Sequence, residues 1–179
     1  SFNPYRAIEP IRIFFYFPRQ QLIPSDYDVP NRLFIGAKSC DLKALELLDK
    51  ALINEDFVDP IYQRWRENTI IISSDCTDIT HNCHCNLVDV TPYPECNFDI
   101  NISKYDEYYL MKSGSEKGEN ILEMIKNEFS TEEPGKEVKR RVEKNREEVV
   151  ERLKSQNKEF DYSNKFEKLK NGEMSNWEE

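Results

Sequence analysis

Glycine is scarce, with five in 179 residues, at positions 36, 114, 118, 135 and 172. No Walker A loop and no G-x-G-x-x-G can be written with them, which excludes nucleotide-binding enzymes built on those backbone cradles. Long apolar runs are missing too. The longest, Ile13-Phe14-Phe15-Tyr16-Phe17, is far below the ~20 residues needed to span a bilayer, so membrane insertion is not expected. Positive charge is in deficit. Lys and Arg number 25 against 34 Asp and Glu, a net −9, which argues against general affinity for nucleic acid or anionic membranes. No H-E-x-x-H, no Ser-His-Asp order and no carboxylate pair stands out, so a convincing nucleophile–base pair is also lacking.

What is there suffices for a core. Hydrophobic residues make up 38% and aromatics 12%, enough to exclude wholesale disorder. Charge is unevenly spread: 25 of residues 131–179 are charged, against 34 in the 130 before them. All five cysteines and both histidines lie in the first 130. The chain divides into an α/β unit at 1–130 and a lysine/glutamate-rich helical linker or arm at 131–179. In the arm, Val138, Val142, Val149 and Leu153 form a narrow stripe that breaks at Asn145 and Arg146. Such a stripe suits either a solvated helix resting lightly on the domain or an arm reaching a partner. Either way, little contribution to the stability of residues 1–130 is expected. Phe160, Tyr162, Phe166, Leu169, Met174 and Trp177 would anchor the remainder of the arm.

Periodicity supplies the elements. Ile11 to Phe17 reads as a strand, rich in β-branched and aromatic residues and closed by Pro18. Gln20 to Pro30 has loop chemistry. Leu33 to Gly36 and Thr69 to Ser73 are short buried strands. Asp41 to Ile53 sets Leu42, Leu45, Leu48 and Leu52 on one helical face, and Pro60 opens a second helix ending near Glu67. Asp75 to Asn86 is loop, 99–105 and 108–112 form a hairpin, and Ser115 can N-cap a helix reaching Phe129. Strands alternating with helices predict an α/β fold: a small, partly parallel sheet with flanking helices, extended by the hairpin and followed by the charged helical arm.

The cysteines are the informative residues. Cys40, Cys76, Cys83, Cys85 and Cys96 are odd in number, and no signal peptide suggests an oxidising compartment. A disulfide framework therefore explains them poorly, and a cytoplasmic setting is expected. Cys76, Cys83 and Cys85 sit in a polar loop after one strand, and Cys40 between another strand and a helix start. In a parallel sheet both places lie beyond the carboxyl ends of strands, where such folds build their sites. Zinc usually takes C-x2-4-C pairs, which this spacing lacks, whereas iron–sulfur clusters use four thiolates at more varied spacing. Buried reduced thiols remain the plain alternative. Cys96, after Pro94, is the bystander. His81 and His84 are either ligands, sulfur donors or solvated.

The run Gly36-Ala37-Lys38-Ser39-Cys40-Asp41-Leu42, followed by Leu47-Leu48-Asp49-Lys50, resembles the G-x-x-x-C-D-L…LDK segment of certain iron–sulfur electron-transfer subunits. That family includes the beta subunit of archaeal sulfhydrogenase and the corresponding subunit of anaerobic sulfite reductase. The likeness continues through Asp59-Pro60-Ile61-Tyr62, Arg66-Glu67-Asn68-Thr69, the Cys76…Cys83-His84-Cys85 loop, Phe98-Asp99 and Gly114-Ser115-Glu116-Lys117-Gly118. It covers roughly residues 2–130 in order.

The resemblance implies a 4Fe-4S cluster on Cys40, Cys76, Cys83 and Cys85, and a relay within a cytoplasmic multi-subunit oxidoreductase. Partners would be flavin- or cluster-bearing subunits and a catalytic one, with no bond chemistry in this domain. Family members continue into a ferredoxin domain with repeated C-x-x-C clusters, and this sequence does not. It starts at Ser1 and stops at Asn176-Trp177-Glu178-Glu179, and so reads as a fragment. Two other classes compete: a cofactor-free docking domain holding redox subunits together, and a zinc- or cysteine-dependent enzyme.

Overall fold

The computed structural model describes residues 4–5, 7, 9–15, 29–54 and 56–160. Four strands form one sheet in the order β1 (Arg32–Ala37), β2 (Thr69–Ser74), β3 (Ile100–Tyr105), β4 (Tyr108–Ser113). The first three are parallel and β4 returns antiparallel from β3. Helices α1 (Ser39–Leu52) and α2 (Pro60–Glu67) fill the crossover between β1 and β2. Helices α3 (Glu116–Glu128) and α4 (Lys136–Gln156) follow β4. This is the α/β fold expected from the alternation of strands and helices, with the hairpin as its edge. Among the described residues no helix is long and apolar enough to cross a membrane.

One face of the sheet carries the main core. Leu42 and Leu45 of α1 and Tyr62 and Trp65 of α2 pack with Ile11, Phe15, Ala37, Ile71 and Phe98. The heptad-like spacing of leucines in α1 and the Asp59 cap of α2, whose Oδ1 accepts from the Ile61 and Tyr62 N–H groups, explain why these segments are helical. Arg32 crosses this core edge with its guanidinium 3.8 Å from the Trp65 ring centroid and 5.0 Å from that of Phe15, a stacking that suits a planar, weakly hydrated cation. Asp49 ties α1 to α2, accepting from the Tyr62 hydroxyl at 2.7 Å and from Arg66 at 2.8 Å through both carboxylate oxygens.

Two glycines are required by geometry. Gly36 has φ 91° at a register shift in β1, a conformation that side-chain-bearing residues avoid. At Gly118, in the first turn of α3, a Cβ would stand 1.8 Å from the Asp99 carbonyl oxygen. That close approach seats α3 against the start of β3, with Ser115 Oγ accepting from the Gly118 N–H at 3.1 Å as its cap.

Two expectations fail. The strand expected over Ile11–Phe17 is a 3-10 turn at Ile11–Phe14. Ile11 and Phe15 are buried while Arg12, Ile13 and Phe14 are exposed, a one-sided pattern that a continuous apolar run conceals. Tyr16, Phe17 and the loop residues 20–28 lie outside the described residues. The second concerns α4, which is no lightly resting helix. Val142, Val149 and Leu153 are 3%, 3% and 1% exposed, packed by a helix that lies along β3 and the cysteine loop. Of the anchors expected after it, Phe160 is exposed and Tyr162, Phe166, Leu169, Met174 and Trp177 lie outside the described residues.

Candidate thiol site at the strand ends

The chain leaves β1 through the Gly36 bulge and reaches Lys38, the N-cap of α1. Asp41 Oδ2 accepts from the Lys38 backbone N–H at 3.2 Å, which closes the first turn and fixes Cys40 within it. On the neighbouring strand, Cys76 follows the last residue of β2 by two positions, and its N–H donates to the Pro92 carbonyl at 2.9 Å. The loop then folds on itself. The Cys83 N–H donates to the Thr80 carbonyl at 2.9 Å, and the Thr80 N–H lies 3.3 Å from the Cys83 sulfur. Cys85 opens a 3-10 turn, Cys85–Val88, that ends at Asp89 in the left-handed region.

Cys40, Cys76, Cys83 and Cys85 are each half-buried and unbridged, whereas Cys96 is exposed. Burial pushes the Cys76 thiol up to about 12, with negative charge on Cys40, Cys85 and Cys83 adding to the rise and Lys38 opposing it. Burial likewise raises Cys85, with Cys83 adding to it. Without a cationic guest, both thiols hold their protons at neutral pH, so uptake of a metal centre would release them. Cys40 thus lies in the first turn of α1, Cys76 just beyond β2, and Cys83 and Cys85 in the loop that follows, whereas Cys96 is on the surface. The site does not gather those four tightly. Among the described residues no three His, Cys, Asp or Glu side chains are close enough to hold a single metal ion. His81 and His84 are exposed. The His84 Nδ1 is 2.8 Å from the Asn82 carbonyl.

Beneath the loop lies a polar network that sequence reasoning missed. Lys38 Nζ, 1% exposed, donates to Ser74 Oγ at 2.8 Å and to the Asp75 carbonyl at 3.0 Å. The Asp75 carboxylate accepts from Asn101 Nδ2 at 2.9 Å and from Arg146 Nε at 2.8 Å. From α4, Arg152 donates to Asp78 and the Thr77 carbonyl. Gln156 Nε2 and Asn157 Nδ2 both donate to the Cys83 carbonyl, at 2.9 and 3.0 Å. The cysteine loop is thus held from one side by strand ends and from the other by the last turns of α4. The available signals were faint: Lys38 sits inside the conspicuous 36–42 run, and Arg146 falls where the apolar stripe breaks. No protein-family model, curated protein or solved structure matches the chain.

Proposed function

We propose that this chain is the N-terminal α/β domain of an iron–sulfur electron-transfer subunit, with Cys40, Cys76, Cys83 and Cys85 holding a 4Fe-4S cluster. The observation that carries the reading is that Cys40, in the first turn of α1, and Cys76, just beyond the adjacent parallel strand β2, are half-buried at neighbouring strand ends, with Cys83 and Cys85 half-buried in the loop that follows. The donor chemistry fits. Around tetrahedral zinc, Zn–S bonds of ≈ 2.3 Å set the sulfurs about 4 Å apart, whereas a cubane takes one thiolate at each iron and needs a wider set. Four half-buried thiols offer one such ligand for each iron.

Such a cluster, when bound, carries one electron at a time. The protein's share is to exclude water, to donate hydrogen bonds toward sulfur and to place the site at the domain edge for a partner. In this reading the domain works within a cytoplasmic multi-subunit oxidoreductase, between a flavin- or cluster-bearing donor and a catalytic subunit. It breaks and makes no substrate bonds. The docking alternative draws on a different observation: Leu33 and Ile35 of the edge strand β1 are 53% and 59% exposed.

Anaerobic purification with iron and sulfide analysis tests the reading. Broad visible absorption with about four irons and four sulfides per chain is the expected result. A colourless protein holding zinc points to the enzyme class, and a metal-free chain that still binds redox subunits to docking. For the relay role, a Cys83→Ser subunit added to the reconstituted complex should cut electron flow to an artificial acceptor. Unchanged flow would remove this domain from the path.

A further inference from the structure

Lys38 carries a buried amine that no salt bridge reaches. Its ammonium is sealed at 1% exposure, and among the described residues no carboxylate stands within ion-pair distance of it. The nearby acids spend their hydrogen bonds elsewhere, Asp75 with Arg146 and Asn101 and Asp41 with the Lys38 backbone N–H, and reach Lys38 through their charge alone. Nζ has three donors and spends two, on Ser74 Oγ and the Asp75 carbonyl. The third has no hydrogen-bond partner among the described residues. An ammonium in such a place is strongly unfavourable unless negative charge arrives to offset it.

Its position says where that charge would come from. Lys38 precedes Cys40 by two residues, and the two groups it grips, Ser74 and Asp75, immediately precede Cys76. The ammonium is therefore pinned between the two chain segments that deliver thiols from β1 and β2. Burial lowers the Lys38 pKa, and negative charge on Cys76, Asp75, Cys40 and Asp41 opposes that fall. A centre held by four thiolates is anionic. Net charge and hydrogen bonds to sulfur are the protein's levers on its potential.

We propose that Lys38 is the counter-charge of the thiolate centre, a positioning residue that offsets its negative charge, turns its spare N–H toward sulfur and raises the reduction potential. This rests on the reading of Cys40, Cys76, Cys83 and Cys85 as one metal-holding set, and extends it by naming what sets the driving force.

The test compares the full chain with Lys38→Met and Lys38→Arg after anaerobic reconstitution with iron and sulfide. Redox titration followed by visible absorption reads the result. Lys38→Met should disfavour reduction at least tenfold, about 59 mV for a one-electron couple, and Lys38→Arg should stay near the wild-type value. Equal potentials for wild type and Lys38→Met, or an arginine variant that behaves like methionine, overturn the proposal while leaving the cluster reading intact. If the wild type assembles no cluster, or Lys38→Met loses it, cadmium titration of the same three proteins decides, read by thiolate-to-cadmium absorption. A tenfold weaker cadmium affinity in Lys38→Met, restored in Lys38→Arg, sustains the role of Lys38 whatever becomes of the cluster. Equal affinities, or no cadmium uptake by the wild type, overturn it.

Discussion

Arg146 Nε stands 2.8 Å from Asp75 Oδ2, joining the middle of α4 to the residue beside Cys76. The pair occupies the gap in the apolar stripe between Val142 and Val149. There Arg146 also donates to Ser103 Oγ at 3.3 Å and lies 4.6 Å from the Tyr93 ring centroid. With the Asp75 side chain 7% exposed and that of Arg146 19%, this is a largely desolvated ion pair, unlike the solvent-exposed pairs that run along the rest of α4.

Removing one partner of a buried pair strands the other, so Arg146→Ala should lower stability by about 3–5 kcal/mol. Arg140→Ala, whose partner Glu137 is also exposed, should cost under about 1 kcal/mol. Urea unfolding followed by far-UV circular dichroism checks both. Truncation after Phe129 should be worse than either, because it also uncovers β3 and the cysteine loop. A truncated chain with an unchanged melting curve would show that α4 is no part of the folded unit.

Cysteine substitutions should separate ligands from the bystander. Cys40→Ser, Cys76→Ser, Cys83→Ser and Cys85→Ser should each lose most of the bound iron and sulfide after reconstitution. Cys96→Ser, at an exposed position, should keep the wild-type content. Iron and sulfide per chain is the measurement, and a Cys96→Ser chain that loses iron while Cys40→Ser keeps it reverses the assignment.

The grip of α4 on the loop can be loosened without dismantling the domain. Gln156→Ala combined with Asn157→Ala removes the side-chain donors from the Cys83 and Thr80 carbonyls and from Asn86 Oδ1. At about 1 kcal/mol per neutral hydrogen bond, global stability should fall by a few kcal/mol. Amide exchange over residues 77–90 should quicken at least tenfold relative to β2 and β3. Exchange that rises equally everywhere would mean the loop is not separately held.

Tyr62 predicts an alkaline limit. Burial first, then its hydrogen bond to Asp49, raises its phenol above the ordinary 10.0. The folded chain therefore keeps a proton that the unfolded chain releases. The contribution is fully present below pH 10 and is lost as pH climbs toward the raised value. Tyr62→Phe should be less stable than wild type at pH 8, having lost the hydroxyl bond to Asp49, yet show a shallower decline between pH 9.5 and 11. Parallel slopes for the two proteins would remove Tyr62 as the source.

Much of the fold was legible because its signals are local. The leucine spacing of α1, Pro60 at the start of α2, the Ser115 cap and the paired runs 99–105 and 108–112 each depend on neighbours in the chain, so they can be read one segment at a time. The segment Ile11–Phe14 could not be read so, because it runs into the five apolar residues Ile13–Phe17, and such a run satisfies strand and turn equally. Only the packing of Ile11 and Phe15 against α1 and α2 separates them. For the thiols, strand and helix order sufficed to place Cys40 and Cys76 at neighbouring strand ends and to set Cys96 aside.

By itself, then, the sequence determined the α/β alternation, the partly parallel sheet, and the placing of Cys40 and Cys76 just beyond the ends of β1 and β2. Each of these follows from chain connectivity and hydrophobic period. Only the tertiary structure decided that α4 packs against β3 and the cysteine loop, that Lys38 is buried and that Arg146 is half-buried. Pairing is a matter of what faces a side chain, not of what precedes it. Seventy-one residues separate Arg146 from Asp75, and no period in either segment announces that one is the other's counter-ion. The same long-range burial brings Lys38 Nζ onto Ser74 Oγ and the Asp75 carbonyl, a relationship that arises only when β1 and β2 lie side by side.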